Sequence, residues 1–180
     1  MSPDTRINRR QFLRRTLLGG LLLGAGATVG RHLSGYHLDP ALASRLRVLS
    51  PKEYLVLMAV CRRILAPDEA GAPSPDDISV GLNVDRYLGE IDPSLVVQLR
   101  ALLHLVEHGS SLLSRFTRLG PEAQDAVLAA WESSRLDVRR QGFQALKTLA
   151  VLGYYDDPRT FALLGYPGPL LGSGPASGSK

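Results

Sequence analysis

Apolar residues recur along most of this chain at intervals of three and four, the spacing that lays one stripe along an α-helix. Tyr54, Leu57, Met58, Cys61, Ile64 and Leu65 form the first such run. The residues before it spell a helix start: Ser50 at the N-cap, Pro51 in the first turn, Glu53 to close a capping box, and Leu49 placed to staple onto Tyr54. Pro67 ends this helix, and Pro67, Gly71, Pro73 and Pro75 keep residues 66–77 out of regular structure. Val80, Val84, Tyr87 and Leu88 predict a second helix over residues 78–91, weakened by Gly81 and Gly89. Asp92-Pro93 opens a third, carrying Leu95, Val96, Leu99, Leu102, Leu103 and Val106 to a stop at Gly109. Leu112, Leu113 and Phe116 read as a short apolar connector. Gly120-Pro121-Glu122 restarts the chain as a fourth helix with Ala123, Val127, Ala130 and Trp131 inward. A fifth, over residues 136–154, spaces Phe143, Leu146, Leu149, Ala150 and Gly153 in the same way, and Asp157-Pro158 then caps a short helix to about Leu164. No stretch alternates with period two for long enough to make a sheet, and there is no internal repeat. The expected fold class is therefore all-α, a bundle of about five helices.

The N-terminal segment follows another pattern. Asn8-Arg9-Arg10-Gln11-Phe12-Leu13-Arg14 precedes an uncharged apolar run from Leu17 to Val29, which Gly30-Arg31 closes. A basic segment before a short apolar one is the layout of an export signal, and Arg9, Arg10, Phe12 and Leu13 resemble the twin-arginine translocation motif. Asn8 stands where that motif has Ser or Thr, and Arg14 where it has Lys. Thirteen residues reach only about 20 Å as a helix, short of the ~30 Å hydrocarbon core, which suits a signal better than a span. Ala41-Leu42-Ala43 and Ala25-Gly26-Ala27 both satisfy the small-x-small cleavage rule, and an uncleaved anchor is the alternative. The chain thus divides into a signal and linker over residues 1–43, a helical body over 44–170, and a tail over 171–180 rich in Gly and Ser that reads as disordered.

Charge changes the picture once it is placed. The 180 residues carry a formal net charge of +4. Residues 1–43 hold six arginines against Asp4 and Asp39, so the whole excess lies in the signal and the remainder is neutral. A neutral body removes the main reason to expect a nucleic-acid partner. A single cysteine excludes an internal disulfide, a four-cysteine iron–sulfur site and a two-cysteine haem attachment on this chain.

Candidate chemistry is sparse. His104-Leu105-Val106-Glu107-His108 matches the H-x-x-E-H string of inverted zinc peptidases, with two imidazoles one turn apart and a glutamate to polarise water. The competing reading is a helix end where histidines suit the dipole and Gly109 stops the turn. Cys61 sits on an apolar face as a structural thiol, Trp131 and Tyr87 lie at packing positions, and Arg139-Arg140 reads as a solvated stripe. Tyr154, Tyr155, Phe161 and Tyr166 cluster near the C-terminus, rimmed by Asp156, Asp157 and Arg159. With Pro158, Pro167, Gly168 and Pro169 they form a candidate partner-docking segment.

The twin-arginine leader, Leu49-Ser50-Pro51-Lys52-Glu53, Ile64-Leu65-Ala66-Pro67, Val84-Asp85-Arg86-Tyr87-Leu88 and the ending from Gly153-Tyr154-Tyr155-Asp156-Asp157-Pro158 to Gly165-Tyr166-Pro167-Gly168-Pro169 together resemble the gluconate 2-dehydrogenase subunit 3 family. That resemblance implies a small periplasmic subunit without catalytic residues or cofactor of its own. It would stand beside a glucose-methanol-choline-type flavoprotein dehydrogenase that carries FAD, often with a cytochrome c subunit, and would escort the folded flavoprotein through the twin-arginine translocase. Membrane contact would run through the signal segment. Two other readings stay open from the residues alone: a stand-alone exported zinc hydrolase using His104, Glu107 and His108, and a membrane-tethered helical adaptor unrelated to redox chemistry.

Overall fold

The computed structural model describes residues 35–65, 71–109 and 114–165. The export motif at Arg9, Arg10, Phe12 and Leu13, the apolar run, Leu112 and Leu113, Tyr166 to Pro169 and the tail lie outside the described residues. The chain divides at His37, and the described residues from Leu38 onward belong to one compact unit. Six α-helices and no strand occur among the described residues: α1 (Pro40–Ala43), α2 (Pro51–Ile64), α3 (Val80–Leu88), α4 (Pro93–His108), α5 (Pro121–Glu132) and α6 (Asp137–Tyr155). Two 3-10 turns, Phe116–Arg118 and Pro158–Leu164, complete the body.

The helix starts follow the cap-and-proline logic of the sequence. Ser50 caps α2, with the Glu53 carboxylate accepting from the Ser50 N–H at 2.7 Å and from the Ser50 hydroxyl at 2.8 Å. Asp92 caps α4 by accepting from the Ser94 N–H at 2.7 Å. α3 is shorter than its apolar pattern, beginning after Ser79, whose φ of 55° turns the chain into the helix.

α2 is the hub. Its expected single stripe is in fact a continuous buried run, because Val56, Leu57, Met58, Ala59, Val60 and Cys61 are all buried. A helix apolar all round sits at the centre of its fold, and α3, α4, α5, α6 and the first 3-10 turn all pack on α2. Phe116, expected in a connector, fills the core from that 3-10 turn with no exposure at all. Each fully buried large apolar side chain contributes about 1.5–3 kcal/mol.

Two glycines set how closely the helices cross. A Cβ on Gly81 of α3 would lie 2.5 Å from the Tyr54 ring of α2, and one on Gly153 of α6 would lie 2.7 Å from Val84 Cγ2 and 3.0 Å from the Val80 carbonyl of α3. Gly81 therefore belongs to α3 as its contact point with α2 and does not weaken the case for a helix there.

The folded unit includes residues 38–43. Leu38, just before the cap of α1, and Leu42 within that helix pack partly buried against the core. Other residues read as inward face solvent: Leu95 and Tyr87 are exposed, as are Ala123 and Ala130 on the outer side of α5.

A candidate docking groove between α4 and α6

The H-x-x-E-H string does not assemble the arrangement that water activation on a metal requires. Glu107 is turned inward with no exposure, where its carboxylate accepts from the Thr117 N–H at 3.0 Å and the Thr117 hydroxyl at 2.7 Å. His104 and His108 do share a face, but their ring nitrogens converge on Lys52 of α2. The Lys52 ammonium nitrogen lies 3.4 Å from His104 Nδ1 and 3.1 Å from His108 Nε2. Burial pulls Lys52 below its ordinary pKa, and the nearby Glu107 carboxylate partly offsets this. No group of three His, Cys, Asp or Glu side chains suited to a metal occurs among the described residues.

Two other buried groups, Cys61 and Asp85, are committed to the fold. Burial pushes the Cys61 thiol up to about 12, far from the thiolate a nucleophile needs. Asp85, buried on α3, accepts the backbone N–H groups of Arg47 at 2.7 Å, Val48 at 3.1 Å and Leu49 at 2.7 Å. One carboxylate thereby fixes the segment that leads into α2. Nothing in the residue pattern marked this role beyond an acidic residue one position past a core valine.

The C-terminal aromatic segment divides. Tyr154 is 5% exposed and its hydroxyl donates to the Pro73 carbonyl at 2.8 Å, so its ring closes the end of the bundle and is not a free anchor. Tyr155 packs edge-on against it at 5.3 Å, half-buried, and Phe161 is half-buried in the second 3-10 turn. Asp157 accepts from the Arg159 N–H at 2.9 Å and from its guanidinium at 2.8 and 2.9 Å, and that cation holds the Asp157 carboxyl down to about 2. Pro158 starts the turn, exposed.

The described residues also form an open surface groove that the sequence did not announce. α4 packs on α2, and α6 packs on α3 and α5, leaving a groove of about 710 Å3 between α4 and α6. Leu95, Leu99, Leu102 and Leu105 line it from α4; Val138, Gly142, Ala145 and Leu149 line it from α6; Tyr87 stands at one end. The absence of a side chain at Gly142 makes room for Leu102, since a Cβ there would meet Leu102 Cδ1 at 2.6 Å. Gln98, Gln141 and Thr148 supply neutral hydrogen-bonding groups, and no charged residue is among the described residues that line it. The eight exposed large apolar side chains of the described residues stand on α4, on α6, at its N-cap Leu136, or at Tyr87. Four of them, Tyr87, Leu95, Leu105 and Val138, line the groove, and contiguous apolar surface of this kind marks an interaction site where scattered single residues would not. Tyr87, read from the sequence as packing, is 40% exposed at the mouth of this groove.

Fold and surface together define an all-α protein with an apolar groove on its surface. Residues 51–168 match the family model of gluconate 2-dehydrogenase subunit 3, and the chain belongs to that family. The match begins at the first residue of α2, so α1 and the segment held by Asp85 precede it. Neither the curated proteins nor the solved structures compared with the chain gave a match.

Proposed function

We propose that this chain is the non-catalytic small subunit of a periplasmic flavin-dependent sugar or alcohol dehydrogenase complex. The observation that carries the reading is the family match over residues 51–168. FAD and the reaction reside on a glucose-methanol-choline-type partner, and a cytochrome c subunit completes the electron path. The commitment of Cys61, Asp85 and Glu107 to buried structural contacts supports a binding role over a catalytic one.

Export is the second half of the proposal. Arg9 and Arg10 address the chain to the twin-arginine translocase, a route that carries folded cargo. A neutral helical body without a cofactor motif has no need of that route, whereas a partner folded around flavin does. The small subunit therefore escorts the flavoprotein. It ends in the periplasm, or stays at the inner membrane if the signal is not cut. Tyr155, Phe161 and the Tyr166 to Pro169 stretch contribute to docking, with Pro158, Pro167 and Pro169 limiting the entropy lost on binding.

Replacing Arg9 and Arg10 together by Lys tests the escort. Both this chain and dehydrogenase activity should then be retained in the cytoplasm. Normal periplasmic activity from that variant would overturn it.

A further inference from the structure

We infer that the fold itself protects the bond after Ala43 from signal processing, so that residues 38–49 stay on the exported subunit as a strap across its core. The inference rests on the export reading of the leader and adds to it a limit on where the mature chain begins: before Leu38. Ala41-Leu42-Ala43 satisfies the small-x-small cleavage rule, yet these three residues follow Pro40 in α1. A protein-cutting enzyme takes its substrate as an extended strand whose main-chain groups pair with its own. In α1 those groups are already engaged. The Asp39 carboxylate accepts from the Ala41 N–H at 3.1 Å, and the Asp39 carbonyl accepts from the Ala43 N–H at 2.8 Å. The Ser44 hydroxyl donates to the Ala41 carbonyl at 2.8 Å, and the Ser44 N–H donates to the Pro40 carbonyl at 3.0 Å.

A helix of four residues does not hold by its own bonds, so its packing decides whether it opens. Leu38, Leu42 and Leu46 recur at steps of four, and all three pack partly buried against the core. Beyond them the chain is fixed again. The N–H groups of Arg47, Val48 and Leu49 donate to Asp85, and the Val48 carbonyl accepts from the Arg100 guanidinium. Only Ser44, Arg45 and Leu46 lie between the bond in question and the first N–H that Asp85 holds. Drawing Ala41 to Ala43 out into a cleft therefore lifts the flanking leucines off the core. Chains are nicked where the backbone is exposed and unpaired, and this stretch is neither free nor unpaired. A route that delivers folded cargo presents it to the processing enzyme in this closed form.

The test reads the N-terminus of the full chain, exported together with its flavoprotein, by intact mass. The exported subunit should retain residues 38–43, whatever is removed before Leu38. A product that begins at Ser44 would overturn the inference. Ala41 is exposed, so Ala41→Lys breaks the small-x-small rule without touching the packed leucines. The N-terminus of the product should not move in that variant, and a loss of processing there would likewise refute the protection. Elastase, which cuts after small residues, probes the same bond without export. In the purified full chain it should cut Ala43–Ser44 at least about 100-fold more slowly than in a free peptide spanning residues 36–50. Asp85→Ala, which loosens the strap, should raise the rate in the folded chain by about tenfold or more. Equal cutting of folded chain and peptide would overturn the inference. If the chain stays in the cytoplasm while the bond resists elastase, the export reading fails and the protection of this bond is upheld.

Discussion

Removing the Asp85 carboxylate should destabilise the folded unit more than any other single polar substitution in it. Asp85→Ala strips three backbone N–H groups of their acceptor at once. The Leu49 N–H is buried and has no route to water; those of Arg47 and Val48 are half-exposed and recover part of the loss. A hydrogen bond to a charged group is worth about 1.5–3 kcal/mol, and one full plus two discounted bonds come to about 3–4 kcal/mol. Asp85→Asn keeps the shape and one oxygen. Because Val48 and Leu49 share Oδ1, the amide can serve both while its NH2 faces the Arg47 N–H, and the loss falls to about 1–2 kcal/mol. Urea unfolding followed by helical circular dichroism measures both. In a body of this size, Asp85→Ala should also lower the melting temperature by about 10 °C. If Asp85→Ala loses less than about 1 kcal/mol, or Asn and Ala prove equivalent, the carboxylate does not fix residues 47–49 as described.

Three further outcomes follow from the same geometry. Gly153→Ala should cost about 2–3 kcal/mol in spite of the better helix propensity of alanine, because its methyl would press on Val84 Cγ2 and the Val80 backbone; a neutral or stabilising result by denaturant titration would mean the α3–α6 crossing is looser than described. The Asp157 carboxyl is held down to about 2 by Arg159, below its ordinary value near 4, so its contribution to holding the second 3-10 turn is complete above about pH 4 and is lost as pH falls through about 2; an NMR titration midpoint near 4 would contradict the pairing. Elemental analysis of the purified chain should find no stoichiometric zinc, and His104→Ala and His108→Ala should each cost at most about 1 kcal/mol; one zinc per chain that either variant loses would restore the hydrolase reading.

The helix order was legible because each start carries a local signal that does not depend on the rest of the fold. Ser50-Pro51 and Asp92-Pro93 satisfy exposed N–H groups from their own side chains, and Gly120-Pro121 marks a start by its proline alone. Burial was less legible, because periodicity shows how many apolar stripes a helix has and not what each one faces. α4 carries Val96, Leu99, Leu103 and Val106 toward the core and Leu95, Val97 and Leu105 outward, so Leu95 was read as part of a stripe it does not share. The same ambiguity concealed the groove and misplaced Tyr87. Gly81 was weighed by propensity, a local property, when its reason is a tertiary contact 2.5 Å from the Tyr54 ring. Tyr154 sits in an aromatic cluster that sequence alone assigns to an interface; only the carbonyl of Pro73, 81 positions away, shows that its ring turns inward.

Purification of the small subunit from the periplasmic fraction, with the absorption spectrum of whatever accompanies it, tests the subunit assignment most directly. Flavin bands and a dehydrogenase polypeptide should elute with this chain at a fixed ratio and disappear from the periplasm when its gene is deleted. A chain that elutes alone, or a dehydrogenase that reaches the periplasm in full activity without it, would contradict the assignment.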